Sequence, residues 1–585
     1  MNSFSKQLTL LKTPIWLAAV WCIGLVSCSA SFKQDSDPEV VWSRPGYLPD
    51  SEKRAVVRNV NTEYFRILSA DSDSVVYESS IESSPEYDNL SGDRIITLDF
   101  SVLTETGQYK IHLPELNVYS EPFRIDYNIF DDELKSLLRS FYLQRCGTNI
   151  EDVTWARPAC HLDDAPFFDD RGDTAETTGG WHDAGDHNKF VVTTTVSAGL
   201  LMQLFELDPD HFRAIELNIP ESGNNRPDIL DEVKWALDWL MSMQREDGAV
   251  HFKVSKKQWT GEYKPHTEPD TRYIFEVSST ATAGTAAVLA QAARLFRDYD
   301  QTYASRLLQH SRLAWQWLEQ HPDIVPEGGF TNPEGVRGGE YPDEQDLDER
   351  LWAAAELYKT TGGSDYLNFF KNHYTRIADG GFGYPVLSWQ STGSLAFATI
   401  LNSGDQLPEE VRQRIYQRSK RYGDQVLNRV DANPYRYVLS ENSFYWGSNS
   451  VAMGYAFDLI QVWRITGEPQ YLDAAEQQLY YLLGRNPFGI AYVTSNREGW
   501  VNHPYHQWVI EADNDKTLEG MLVGGPNRNS EMRRSPSHQY PARWYRDDHR
   551  EYTVNEVAIN YTASLGYVLG FFTLTEDQRQ RTKFE

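Results

Sequence analysis

After Asn128 the hydrophobic period of this chain changes and does not change back. Leu134, Leu137, Leu138 and Phe141 recur at three- and four-residue spacing, the signature of one face of a helix. Segments of the same kind follow at 189–206, 228–244, 280–296, 303–319, 348–360, 366–376, 392–402, 409–428, 448–466, 471–483 and 556–572. About a dozen helices joined by long loops fit an (α/α)6 barrel, so the fold class is mainly α, with the barrel over 128–575 and a short tail at 576–585. Apolar positions such as Trp235, Leu237 and Leu240 read as core rather than as ligand boxes. Before the switch, residues 39–127 carry short alternating runs at 55–57, 64–68, 95–100, 108–113 and 122–125, broken by Asp, Ser and Gly clusters. These predict a small antiparallel β-sandwich with no Cys pair to staple its sheets.

The loops of the helical part concentrate Gly, Pro, Asn, Tyr and Trp at 431–449 and 485–552. Ordered loops on a rigid scaffold are where binding residues gather. One motif stands out, Gly179-Gly180-Trp181-His182-Asp183-Ala184-Gly185-Asp186. Two carboxylates lie three residues apart across an Ala-Gly step, where small residues leave room for water or substrate. Far along the chain, Glu556 opens an apolar, helix-like run, flanked by Val554, Val557, Ala558 and Ile559. Such neighbours desolvate a carboxyl and favour its neutral form, whereas a paired, hydrated Asp stays ionised. Alone, either feature is explained by a helix-capping Asp or a core-edge Glu. Together they point to the acid and the base that glycoside hydrolysis needs.

The two ends of the charge balance narrow the partners. A net charge of −29 argues against nucleic acid and against an anionic membrane surface. At the N-terminus, Lys6 and Lys12 precede an apolar run from Trp16 to Val26, too short to span a bilayer. It ends in Leu25-Val26-Ser27-Cys28, which resembles the box at which bacterial lipoproteins are cleaved and lipidated. The expectation is a signal over 1–28, lipidation of Cys28 as a membrane anchor, a tether at 29–38, and a monomer facing the periplasm or cell surface. A plain secretory signal with an incidental Cys is the alternative. Of the cysteines beyond this segment, Cys146 and Cys160 would pair as a disulfide by compartment default. Yet His161 follows Cys160 and His182 sits in the acid motif, and two thiolates with two imidazoles are also a tetrahedral zinc set.

The acid motif followed by Lys189-Phe190-Val191-Val192, YLLGRNPFG at 481–489, VGGPN at 523–527 and the 555–561 segment, in this order, resembles glycoside hydrolase family 9. RPGYLPD at 44–50 resembles the start of the immunoglobulin-like domain that precedes the barrel in one branch of that family. The resemblance implies an inverting hydrolase, with Asp186 as base, Asp183 holding the same water and Glu556 as acid. Asp183 as base stays open. Inverting enzymes hold acid and base roughly 6.5–9.5 Å apart. The resemblance also implies sugar contacts at Trp446 and Tyr561, and in the Tyr505–His506 segment. It favours a structural zinc on Cys146, Cys160, His161 and His182 over the disulfide.

One departure bears on substrate. Where the family usually reads Pro-His-His-Arg, this chain has Pro504-Tyr505-His506-Gln507. The first reading is an endo-acting hydrolase of β-1,4-glucan. An exo-acting β-glucosidase or exo-β-glucosaminidase on short oligosaccharides is the second. A non-catalytic glycan-binding surface lipoprotein is the third, and retention of three acids counts against it. Asp346, Asp348 and Glu349 suggest a calcium loop, although an acid-rich helix N-terminus explains them equally.

Overall fold

The computed structural model describes residues 40–584 apart from 83, 170, 378–385, 404–406, 513, 536 and 537. The expected signal, Cys28 and the tether lie outside the described residues. No described helix is long and apolar enough to cross a membrane.

Two sheets make the N-terminal sandwich. One runs Val40–Val41, Arg54–Arg58, Arg94–Asp99, Glu86–Tyr87; the other runs Gly46–Tyr47, Phe123–Ile125, Gly107–Leu113, Tyr64–Ser69, Val75–Ser80, with Val118–Tyr119 added to Gly107–Leu113. Pairing is antiparallel except where Phe123–Ile125 runs parallel to Gly46–Tyr47. Val57, Leu98, Ile67, Ile111 and Ile125 are fully buried between the sheets, as alternation along each strand requires. The long strands lie where period two placed them. The two-residue strands have no period to read, and Val75–Ser80 escapes because it leaves Val75 and Val76 exposed.

The helical part is built in two layers. Val191–Leu207, Ser279–Leu295, Leu347–Thr361, Gly393–Leu401, Ser448–Thr466 and Ile559–Thr573 are buried on nearly every side. They carry little amphipathicity, as expected of helices with no solvent face. Asp131–Leu143, Asp228–Ser242, Gln301–Gln320, Ser364–His373, Glu409–Asp431 and Pro469–Leu482 pack outside them, most with polar residues facing water, whereas Pro469–Leu482 buries Glu476, Gln477 and Gln478. Val191–Leu207 touches both Ser279–Leu295 and Ile559–Thr573, so the first and last inner helices meet and the ring closes as an (α/α)6 barrel.

The sandwich docks on loops that lead to the barrel mouth. Tyr435 donates to Asp93 (2.8 Å), Tyr437 to Asp88 (3.1 Å) and Arg543 to Asp93 (2.6 Å).

Most helix ends lie within two or three residues of expectation, and one shift reaches the site. The helix predicted to start at Glu556 starts at Ile559, and Glu556 itself is extended (φ −76°, ψ 138°). Its segment spends its backbone groups on neighbours instead. Glu556 bridges Tyr505, Val557 bridges Val523 and Ala558 bridges Ala184. An apolar run read alone does not distinguish a buried helix from a buried strand.

Candidate active site

The acid motif and the Glu556 segment are brought together by main-chain hydrogen bonds. Ile559 N donates to Asp183 O (2.8 Å), Gln507 N to Gly185 O (2.8 Å) and Gly524 N to Glu556 O (2.9 Å). Gly185 has to be glycine here, since a Cβ would stand 2.4 Å from the Tyr505 carbonyl oxygen. All three acids open on one cleft of about 1020 Å³.

Asp183 is buried and both its oxygens are engaged. Thr193, in the first turn of Val191–Leu207, donates to Oδ1, and Tyr341 donates to Oδ2 (2.6 Å). Burial, with the charge of Asp186 added, pushes its carboxyl up to about 7 against those two bonds. Asp186 accepts from the Asn188 main chain (3.0 Å) and side chain (2.7 Å). Burial raises its carboxyl too, opposed by Asn188 and by the Lys256 ammonium. Both aspartates are therefore more enclosed than the hydrated pair expected from sequence. Glu556 is held well above the carboxylate range by burial and then by the charges of Asp186 and Asp183. Its neutral form is favoured, and a carboxyl of that kind facing a cleft is suited to protonating a leaving oxygen.

The cleft walls are aromatic. Trp259, Tyr505, Tyr552 and Trp446 follow one another with ring centroids 6.0 Å apart at each step. Trp446, Tyr552 and Trp259 are more than a third exposed, and Tyr561 and Trp389 add further rings. Flat rings of this kind stack on the apolar faces of pyranoses. Trp446, Tyr505 and Tyr561 thus line the cleft, but His506 does not. His506 is buried, contacts Gln144 Oε1 through Nε2 (3.1 Å), and burial pushes its imidazole down to about 3. The segment is extended at His506 (φ −152°, ψ 116°), and side chains alternate across an extended chain. With Tyr505 facing the cleft, its neighbour faces the core.

Tyr341, Thr193, Asn188, Trp259, Trp389 and Tyr552 were not found from sequence. Asn188 had a signal, lying two residues past Asp186. Tyr341, 158 positions from Asp183, had none.

Beside the acids, Cys146, Cys160, His161 and His182 form a cluster able to hold a metal, their ligand atoms all within 4.8 Å of one another. Cys146 Sγ is 3.5 Å from His161 Nδ1, and Cys160 Sγ is 3.7 Å from His182 Nε2. Both cysteines are free and buried. Two thiols and two imidazoles converging in this way supply the four ligands of a closed tetrahedral site. The calcium candidates are less convergent. Asp346 is bonded by Arg350 (2.8 Å) and Asp348 by the Thr392 main chain (2.7 Å). Asp343, absent from the expected set, is pushed up to about 8 by burial and by Asp348. Glu349 Oε2 is buried without a hydrogen-bond partner.

Residues 130–569 match the family model for glycosyl hydrolase family 9, and residues 35–118 match that for the cellulase N-terminal ig-like domain. The xyloglucan-specific endo-β-1,4-glucanase of Bacteroides ovatus is 32% identical over 92% of this chain and 94% of its own length. Endoglucanase D of Acetivibrio thermocellus is 30% identical over 96% of this chain and 89% of its own. Among solved structures, a metagenome-derived family 9 endoglucanase superposes with a TM-score of 0.85 at 33% identity, covering 92% of this chain and 99% of that one. A Zn-binding triple mutant of the family 9 endoglucanase J30 gives 0.84 at 34%, covering 90% and 99%. With a closed helical barrel, three acids on an aromatic cleft and a family match across both domains, the chain belongs to glycosyl hydrolase family 9.

Proposed function

We propose that this protein is an inverting endo-β-1,4-glucanase. The observation that carries the reading is a single large cleft that holds Asp183, Asp186 and Glu556 between rows of exposed aromatic rings. Asp186, steadied as an anion by Asn188, takes the proton of the attacking water. Asp183, fixed by Thr193 and Tyr341, shares that water. Glu556, neutral in its apolar setting, protonates the departing oxygen. Trp446, Tyr505 and Tyr561 carry the sugar rings. The relatives named as endoglucanases support internal cleavage of the chain. The test is product analysis on cellopentaose with proton NMR in the first turnovers. Internal cuts with the α-anomer appearing first are expected. Terminal release of single glucose units, turnover of chitosan oligomers instead, or a β-anomer first would each overturn part of the assignment.

Zinc is the metal that suits Cys146, Cys160, His161 and His182. With four protein ligands it would staple the loop ahead of the base rather than act as a Lewis acid. Elemental analysis with thiol titration under denaturing conditions tests it; a zinc-free protein with no free thiols would mean a disulfide. Calcium at Asp348 and Glu349, joined by Asp343, would relieve their mutual repulsion. The chain is read further as a monomeric lipoprotein anchored through Cys28 and facing the periplasm or cell surface. Mass spectrometry of the mature N-terminus checks the anchor.

A further inference from the structure

Glu268 lies outside every motif in the sequence, yet it stands where the thiol–imidazole cluster and the catalytic aspartates meet. Its side chain is almost wholly buried. Oε2 accepts from His161 Nε2 (3.1 Å) and lies 3.6 Å from His187 Nδ1. Oε1 takes the Lys256 ammonium (2.5 Å). Lys256 in turn donates its main-chain N–H to Asn188 Oδ1 (3.1 Å), and Asn188 donates twice to Asp186. One carboxylate therefore reaches a metal-ligating imidazole in a single contact and the proposed base through Lys256 and Asn188.

We infer that Glu268 is a positioning residue: it orients His161 toward the metal and, through Lys256 and Asn188, sets Asp186. This rests on the metal reading above. By accepting from Nε2–H, Glu268 leaves the His161 Nδ1 lone pair aimed at the cluster, 3.5 Å from Cys146 Sγ. A carboxylate behind a ligating imidazole fixes its tautomer and raises its basicity, and losing it commonly weakens metal binding 10–100-fold. His161, His187 and Glu268 also bring three ligand atoms within 4.8 Å of one another. Lys256 already neutralises that carboxylate at salt-bridge distance, however, so this group supports the first metal rather than holding a second one.

The experiment compares wild type, Glu268→Ala and Glu268→Gln. Zinc content and zinc affinity are read by chelator competition, Co2+-loaded protein by its absorption spectrum, and hydrolysis by kcat and KM separately. One zinc per wild-type chain is expected. Glu268→Ala should bind zinc roughly 10–100-fold more weakly, shift the Co2+ spectrum, and lower kcat with little change in KM when zinc-saturated. Glu268→Gln, whose amide oxygen still accepts from His161 but does not pair with Lys256, should recover zinc affinity and not kcat. Equal zinc affinity in all three proteins overturns the inference while leaving the zinc site standing. Two zinc ions per wild-type chain would make Glu268 a ligand instead. A metal-free wild type would overturn both readings together.

Discussion

The helix Val191–Leu207 has an acid cluster at each end, and the two are built on opposite terms. At its start, Thr193 holds Asp183, with Asp186 and Glu556 close by. No Arg or Lys touches Asp183 or Glu556 among the described residues, and burial drives their carboxyls upward. At its end, roughly 20 Å away by helical rise, Glu206 is gripped by Arg294 (2.8 Å) and Lys359 (3.2 Å). Arg294 also reaches Glu356 (2.9 Å). Glu206 is largely enclosed too, yet its carboxyl falls to about 2 because two cations overcome the desolvation. Burial alone, then, does not mark a catalytic acid. What sets Asp183 and Glu556 apart from Glu206 is that they line the cleft and that no cation among the described residues touches them.

The sharpest way to break the comparison is to neutralise one acid at each end. Glu556→Gln should lower kcat by roughly 10²–10⁴-fold on a substrate with a poor leaving group, with folding intact by circular dichroism. A leaving group that needs no proton should restore most of that rate. Near-wild-type turnover on cello-oligosaccharides would remove Glu556 from the acid role. Arg294→Met should do the reverse, destabilising by about 3–5 kcal/mol because it removes the ion-pair partner of buried Glu356 and leaves Glu206 with Lys359 alone, while kcat per folded molecule stays close to wild type. Denaturant titration alongside kinetics separates the two.

A smaller effect is expected at Tyr341. Tyr341→Phe removes the donor to Asp183 Oδ2, and roughly tenfold in kcat corresponds to about 1.4 kcal/mol of lost positioning; KM on cellopentaose should hardly move. The smallest effect separates the clusters by pH. A carboxyl depressed in the fold, as Glu206 is, stabilises above the usual carboxylate range and loses that contribution as pH falls toward 2. Glu556 is raised, so it weakens the fold once pH passes its unfolded value near 4.5. Glu556→Gln should therefore melt higher than wild type by roughly 1–3 °C at pH 7, with the gap closing below about pH 4. A gap that persists at pH 3.5 would point to packing rather than to charge.

The legible parts of this molecule were those that repeat or cluster along the chain. Helical period gave the barrel and strand period gave the sandwich. The motif around Asp183 and Asp186 gave the acids, because both lie within eight residues. Contacts between distant segments were not legible. Tyr341, Glu268 and Tyr552 carry no local signature, and each becomes meaningful only when the loops meet. Glu556 was found by its apolar neighbours, yet the same neighbours suggested a helix where the backbone is extended. His506 was assigned to the cleft by position in a motif, when alternation at Tyr505 had already used the cleft-facing side.

The main-chain bridges around Glu556 bear on how such an enzyme drifts through evolution. Ala558 pairs with Ala184, Tyr505 with Glu556, and Ile559 N with the Asp183 carbonyl. The gap between acid and base is therefore ruled by peptide groups, which, Gly185 aside, any residue but proline supplies. Helices of the barrel can exchange their side chains, and the cleft its aromatic rings, without stretching that ruler. New substrates can be sampled on the walls while the hydrolytic span stays constant.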